Sequence, residues 1–582
     1  MVNQPAAGQP GPAAQPEPAS QPTVPTLTSE PHISVDPTVL VGYGARVLDP
    51  ATAVVRPDEP PVLSTIYIAD RLLVQSHEMR RQSARAATPL DEVGRKLGLT
   101  FERVGPDTPD QARIHEGLRR LGARRTDAVD FALDRIRGLT EQWVVPMRMR
   151  RAGTDLAPPP DAWEALQTYR DVAGDQATTG AAARPVAGTG AAGSASLDHL
   201  VALTSGPFIG GSPFTASHGI ATPFTASHST DPLGGYARPG TGGRAPVAWI
   251  GGPPASRFDD AADALVDDPR RVTVAVLDTG VGAHPWLGPA HVLHDPKVAG
   301  ELIGLPTDPH AASGVSNRML GLADPDAGHG TFIAGLVRQA CPDARILDAR
   351  IFGGSGVVAE SDLLQGLQRL AMWHLLGVAG VPGYCPVDVV SLSLGYYHER
   401  PEDVAFDCVL RAPLDLLTRA GVAVVVSSGN DATTRPMYPA ALGPYAGGPQ
   451  PLSPDQLPIL AVGACNPDDT VALFSNDGPW VACRCPGAAL VSTYPTTVRA
   501  SASPGVSVTD GALVRQTIDP DDFSSGFATW SGTSFAAPVM AGRLAAGLQK
   551  RFDDGDSDPA AAAALQRGWA TVTEQLPAVR LP

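Results

Sequence analysis

The sequence predicts an α/β protein: a doubly wound parallel sheet, preceded by a smaller N-terminal accessory domain and by segments unsuited to a packed core. Two observations carry this. Beyond about residue 245, apolar runs of strand length alternate with helical stretches, the pattern of a parallel sheet with right-handed crossovers. Before that point the composition shifts repeatedly. The chain has 582 residues, more than one core accommodates. Its 61 glycines and 58 prolines exceed the ordinary combined usage of about 12%, so folded and unfolded stretches must alternate.

Residues 1–58 are rich in Pro, Ala and Gln with little apolar periodicity, and they are expected to form a disordered tail, because they cannot bury enough surface to offset ordering entropy. Residues 59–175 are expected to form the accessory domain, α/β or mostly helical. "PVLSTIYIADRLLV" has strand character, and "TPLDEVGRKLGL" offers Thr88 as N-cap, Pro89 at the first helical position and Leu90, Val93 and Leu97 on one face. Helical stretches follow near 110–123, 126–138 and 160–172. The arginines of "MRMRR", 147–151, are expected on a solvated helix face, with docking of an acidic partner protein as the alternative. Residues 176–244 form a Gly/Ala/Ser/Thr-rich linker with a direct repeat, "PFTASH" at 213–218 and 223–228. A duplicated piece of linker is the expectation; the alternative is a strand that lies in a peptide-binding groove and regulates it.

From 245 to 582 the strands are expected at "VTVAVLD" (272–278), "ARILDARIF" (344–352), "DVVSLSLG" (388–395), "VAVVVSSGN" (422–430) and "ILAVGA" (459–464), each apolar enough to be buried on both faces. Between them, 361–376 carries a stripe of Leu363, Leu364, Leu367, Leu370, Ala371 and Leu375. Ligands of such sheets sit beyond the carboxyl ends of the strands, so chemistry is expected there.

Three motifs end at that edge. Asp278 closes the first strand in "VLDTGVGAHP". His329 stands in "GHGTFIAG", among small residues at the start of a helix. Ser534 lies in "WSGTSFAAP", at the start of another, where unpaired amides and the positive end of the helix dipole favour an oxyanion. Serine needs a base to take its proton, and the base needs a partner that fixes its tautomer. Asp278, His329 and Ser534 supply these parts. Thr533 is expected to cap the helix, Ser531 and Gly532 to shape the turn, and Ala536 and Ala537 to allow close packing beneath it.

"DTGVGAHP", "GHGTFIAG" and "GTSFAAP", in the chain order Asp, His, Ser, resemble the three catalytic motifs of the subtilisin-like serine peptidases, the subtilase family, over about 245–560. The resemblance implies a subtilisin-like fold and a serine endopeptidase. It also implies Asn430 of "SSGN" as an oxyanion-hole donor, and Ser393, Leu394 and Gly395 of "SLSLG" as the edge that pairs with an extended substrate. Met437 is expected near the floor of the first specificity pocket, with Arg435 nearby. The interval from Asp278 to His329 is longer than in compact subtilisins, so "GELIGLPTDPHAASGVSNRML" is expected as an inserted loop.

Chemistry of this kind needs no cofactor; a structural calcium ion is compatible with the family, with Asp324 and Asp326 as the carboxylates in view. His284, His291 and His294 have tempting spacings, but a zinc site is not expected. A formal net charge of −16 disfavours nucleic acid as a partner, and no apolar run of about 18 residues suggests a membrane span. The N-terminus has no basic start followed by an apolar stretch, so a cytoplasmic protein with six reduced cysteines is expected; export would permit three disulfides. The expected partners are a protein or peptide substrate and a protein recruited by the N-terminal domain. The expected role is an intracellular regulatory or processing protease. The alternatives are a catalytically silent subtilase-fold protein that binds peptides for signalling, and an esterase using the same triad.

Overall fold

The computed structural model describes residues 31, 33, 37–55, 61–75, 88–104, 116–120, 126–141, 144–153, 159–178, 195–203, 244–260, 270–306, 315–317, 321–353, 356–400, 408–448 and 451–579. Most of the expected tail, and the linker's repeat, lie outside them.

The N-terminal part contains β1 (Ala45–Leu48), β2 (Thr65–Gln75), β3 (Leu99–Arg103), β4 (Val144–Arg151) and β5 (Ala195–Leu203). They form an antiparallel sheet in which β5, β2, β4 and β3 are successive neighbours and β1 pairs with β2. The helix Pro89–Leu97 starts as its sequence requires: Thr88 accepts from Asp91 N while the Asp91 carboxylate accepts from Thr88 N, and Gly98 closes it at φ 62°. This helix and Ala162–Thr178 supply Leu90, Val93, Trp163, Leu166 and Tyr169 to one core with Tyr67, Leu72, Met147 and Met149 of the sheet.

Three expectations change here. The "MRMRR" arginines lie on a strand, not a helix. Met147 and Met149 point into the core, while Arg148 and Arg150 pair with Asp70 at 3.3 Å and Glu102 at 2.8 Å, so alternation with period two decided the matter. The helix Pro37–Tyr43 and β1 fall inside the expected tail. Most consequentially, β5 falls inside the expected linker. All nine of its residues are buried, because it has neighbours on both edges and cover on both faces.

The remainder of the chain contains β6 (Ala245–Val247), β7 (Thr273–Asp278), β8 (Val292–His294), β9 (Lys297–Val298), β10 (Glu301–Leu302), β11 (Val315–Asn317), β12 (Leu322–Ala323), β13 (Arg345–Arg350), β14 (Val357–Ala359), β15 (Val389–Leu392) and β16 (Leu394–Gly395). It continues with β17 (Ala423–Ser427), β18 (Ile459–Cys465), β19 (Cys483–Pro486), β20 (Leu490–Thr493), β21 (Ser507–Asp510), β22 (Leu513–Gln516) and β23 (Phe527–Trp530). The central sheet is parallel throughout, in the order β19-β18-β17-β15-β7-β13-β8. The chain builds outward from β7 in both directions, so the carboxyl ends of β7 and β15 flank the switch point where a cleft opens.

Both faces of this sheet are covered. The helices His329–Ala340 and Thr533–Asp553 bring Phe332, Ile333, Phe535 and Leu544 against Val274, Val276 and Val425. On the opposite face Glu360–Val378 and Arg411–Arg419 bring Leu363, Leu367 and Leu417 against Ala275, Leu277 and Val424. The helix Asp127–Glu141 of the N-terminal part joins that second core through Val129, Ala132 and Ile136.

The two parts share one sheet. β5 pairs antiparallel with β14 on one edge, Ala202 opposite Val357 and Leu200 opposite Ala359, and with β16, Leu203 opposite Leu394 and Ala202 opposite Gly395.

Candidate active site

Asp278 is the last residue of β7, and its carboxylate faces the cleft at 1% exposure. Its Oδ1 accepts from the amide of Thr279 at 2.7 Å and from Nδ1 of His329 at 2.8 Å. A carboxylate only accepts, so Nδ1 carries the imidazole proton and Nε2 is the basic nitrogen.

His329 is the first residue of its helix, and the backbone around it is close-packed. Gly328 caps the helix at φ 74°, and a Cβ there would lie 2.6 Å from the Tyr494 ring. A Cβ on Gly330 would lie 2.6 Å from the carbonyl oxygen of Gly280. The helix start therefore lies directly on the turn after β7, within reach of Asp278. Two threonines fasten the contact: Thr279 Oγ1 accepts from Gly330 N at 3.0 Å and Thr331 Oγ1 accepts from Gly282 N at 2.8 Å.

Ser534 is the second residue of the helix Thr533–Asp553. Its carbonyl accepts from the Ser393 hydroxyl at 2.8 Å, which ties the nucleophile's turn to the residue between β15 and β16. Trp530 and Phe535, on either side of Ser534 in sequence, hold the imidazole of His329 at ring separations of 5.5 and 5.1 Å. His329 thus lies against Asp278 and between two rings that flank Ser534 in sequence, and its Nε2 has no hydrogen-bond partner among the described residues. Ala536 and Ala537 are fully buried, as expected.

The cap differs from expectation. Gly532 is the N-cap, and Thr533 is the first helical residue. The Thr533 hydroxyl and amide both donate to Asn430 Oδ1 at 2.9 Å, and the hydroxyl accepts from Gly429 N at 3.1 Å. With Oδ1 engaged by these two donors, the Asn430 amide is held in one orientation. Behind Asn430, Tyr397 donates to Asp431 at 2.5 Å and Asn476 Oδ1 accepts from Asp431 N at 2.9 Å. Burial pushes the Asp431 carboxyl well above its usual range. Sequence reasoning missed Thr279, Thr331, Asp431, Tyr397 and Asn476; the threonines inside "DTG" and "HGT" were the signal that could have found two of them.

Met437 lies between β16 and the turn at Gly429: Cβ atoms on Gly395 and Gly429 would fall 2.7 and 2.6 Å from its side chain. Arg435 turns toward the N-terminal part instead. Its guanidinium donates to the carbonyls of His398 and, across to the N-terminal part, Ser64.

The three histidines of the 284–294 stretch go to different partners. His284 packs against Trp286 and Phe527, and burial lowers it to about 4. His291 bridges Asp259 and Arg271, and His294 pairs with Asp348. The carbonyls of Asp324 and Pro325 receive the buried guanidinium of Arg244, so a side-chain cation already occupies that loop. All six cysteines are free thiols. Of the inserted loop, 300–306 and 315–317 are described. No described helix is long and apolar enough to cross a membrane.

The predicted substrate-pairing edge is occupied. Leu394 and Gly395 pair with Leu203 and Ala202 of the chain itself, directly after Ser393, whose hydroxyl donates to the Ser534 carbonyl. Residues 200–203 lie along this edge, while the "PFTASH" repeat falls outside the described residues.

The family model described as the subtilase family matches residues 270–567, about half of the chain. The chain belongs to the subtilase family, and this segment is its subtilisin-like serine peptidase domain. Relatives include an alkaline protease of Alkalihalobacillus alcalophilus, 28% identical over 288 residues, covering 48% of this chain and 54% of that one. Subtilisin BL of Lederbergia lenta is 28% identical over 48% of this chain and 77% of its own length. Serine protease AprX of Bacillus subtilis (strain 168) is 27% identical over 48% of this chain and 58% of its own. The chain therefore spans about half the length of the first and third of these. A solved structure of a cold adapted subtilisin-like serine proteinase is 22% identical with a TM-score of 0.31, covering 54% of this chain and 85% of that one.

Proposed function

We propose that the chain is a serine endopeptidase in which Ser534 attacks a peptide carbonyl, His329 Nε2 takes and returns the proton, and Asp278 orients the imidazole and stabilises its charged form. Asn430 Nδ2 and the Ser534 amide stabilise the tetrahedral oxyanion, and Ser393, Leu394 and Gly395 pair with the substrate main chain. No step draws on a cofactor. The observation that carries this reading is the 2.8 Å bond from His329 Nδ1 to Asp278, formed beneath a helix start whose neighbouring residue fixes Asn430.

The N-terminal unit, residues 37–203, restrains the enzyme in this reading. Its last strand lies along β14 and β16 in the antiparallel direction a substrate would take, and it reaches Leu203, opposite Leu394. Cleavage there frees the groove. We place the protein in the cytoplasm as a regulatory or processing protease, a setting its unpaired thiols fit.

Intact-mass analysis of the full chain tests the reading. Wild type yields a cut between residues 203 and 244, and Ser534→Ala stays whole. A cut that persists in Ser534→Ala, or none in either protein, contradicts it.

A further inference from the structure

The strand in the groove carries a side chain whose surroundings are made by the peptidase domain. His199 lies four residues before Leu203, the partner of Leu394, so a substrate that follows this register and sets its next residue opposite Ser393 would carry its sixth residue before the cleaved bond at the position of His199. Its Nδ1 lies 2.6 Å from Glu360 Oε2 and its Nε2 2.9 Å from Glu399 Oε2. All three side chains are 1% exposed. The imidazole stacks on the Tyr396 ring at 4.5 Å and 22°, with the His398 ring 5.2 Å away. Tyr396 in turn donates to Glu360 Oε1 at 2.9 Å.

The geometry follows from the two edges that hold an extended peptide. Glu360 directly follows β14, and Glu399 lies four residues beyond β16, so the pair closes over whichever side chain occupies this position. Two buried carboxylates are costly unless a cation lies between them. In this chain His199 with both nitrogens protonated is that cation. When the strand leaves, the carboxylates and the flat Tyr396 wall remain on the peptidase side.

We propose that Glu360 and Glu399, walled by Tyr396, form a substrate subsite that selects a cationic side chain, arginine, lysine or protonated histidine, at the sixth residue before the cleaved bond. The subsite rests on the reading of the groove as a peptidase groove. Two carboxylates facing a stacked aromatic wall suit the guanidinium best, since it presents donors on both sides of a plane that also stacks. Between them the carboxylates outweigh burial, which by itself lowers the imidazole, and hold His199 at about 10. His398 borders the site, its Nδ1 accepting from Arg400 N at 3.0 Å.

The test uses the full chain after its own cut, with fluorogenic peptides copying residues 199–204, His-Leu-Val-Ala-Leu-Thr, in which the first residue is Arg, Lys, norleucine or Glu. In wild type, kcat/KM for the Arg and Lys peptides exceeds that for norleucine by about tenfold to a hundredfold, the range of a charge-assisted bond, and Glu is slowest. Glu360→Gln and Glu399→Gln each shrink the Arg-to-norleucine ratio to about threefold or less on that scale. A wild-type ratio within about twofold overturns the subsite without needing any variant to fold. Peptide hydrolysis without this preference, or fluorophosphonate labelling of Ser534 without hydrolysis of any of the peptides, overturns the subsite alone; loss of both labelling and hydrolysis overturns the peptidase reading with it.

Discussion

Leu203 stands opposite Leu394 in antiparallel register, so the strand that completes the N-terminal sheet also covers the edge beside Ser534. Ala202 is held from both sides, opposite Gly395 and opposite Val357. Proline has no N–H and cannot pair in this position. Ala202→Pro is expected to speed fluorophosphonate labelling of full-length chain by about tenfold or more, the equivalent of one lost main-chain bond with its steric clash. Labelling at the wild-type rate would show that the strand does not restrain the site.

Thr533 orients Asn430 rather than capping the helix. Thr533→Val removes the hydroxyl that donates to Asn430 Oδ1 and accepts from Gly429 N. Turnover is expected to fall by about tenfold to a hundredfold with KM little changed, because an oxyanion donor acts mainly in the transition state. Thr533→Ser keeps the hydroxyl and should restore most of kcat. Steady-state kinetics on one peptide substrate check both outcomes.

Much of the catalytic domain was legible in the sequence. The strands ending at Asp278 and before Asn430 read as continuous apolar runs because both faces of the sheet are covered. The positions of Asp278, His329 and Ser534 followed from residue types that only a strand end or a helix start makes useful. The strand 195–203 was not legible. Its Ser196, Asp198 and His199 break the apolar run, and their burial depends on partners far along the chain: Asp198 accepts from Ser361 N and Oγ, and His199 meets Glu360 and Glu399. The Thr533 role was missed for the same reason, since a Thr before a helix reads locally as a cap while its partner, Asn430, lies 103 residues away.

The close approach at Gly330 predicts a stability loss. Alanine ordinarily stabilises a helix interior relative to glycine by about 1 kcal/mol. Here the added Cβ would meet the Gly280 carbonyl oxygen at 2.6 Å, and such overpacking costs about 1–3 kcal/mol. Gly330→Ala is expected to lower Tm by several degrees in a melting scan, on a scale of about 2–4 °C per kcal/mol. An unchanged or raised Tm would mean that the helix start does not rest on the turn after Asp278.

The hold of the N-terminal unit should depend on pH through His199. Its folded value, about 10, lies above the unbound value of 6.5, so its contribution is complete below pH 6.5 and is lost as pH rises through 10. The tyrosines that face it, Tyr67 and Tyr396, are raised by burial and are therefore not the groups expected to titrate in that window. Labelling of Ser534→Ala is silent, but tryptophan fluorescence or size exclusion on that uncut variant reports undocking. Undocking is expected to rise between pH 6.5 and 10, and His199→Lys should move the rise to higher pH.

The most direct test of the account is mass-spectrometric location of a fluorophosphonate adduct on the processed chain. The account predicts one adduct, on Ser534, at a rate that His329→Ala lowers by about 10³-fold or more, since the serine then lacks its base. An adduct on another serine, or labelling of Ser534 that is indifferent to His329, would contradict it.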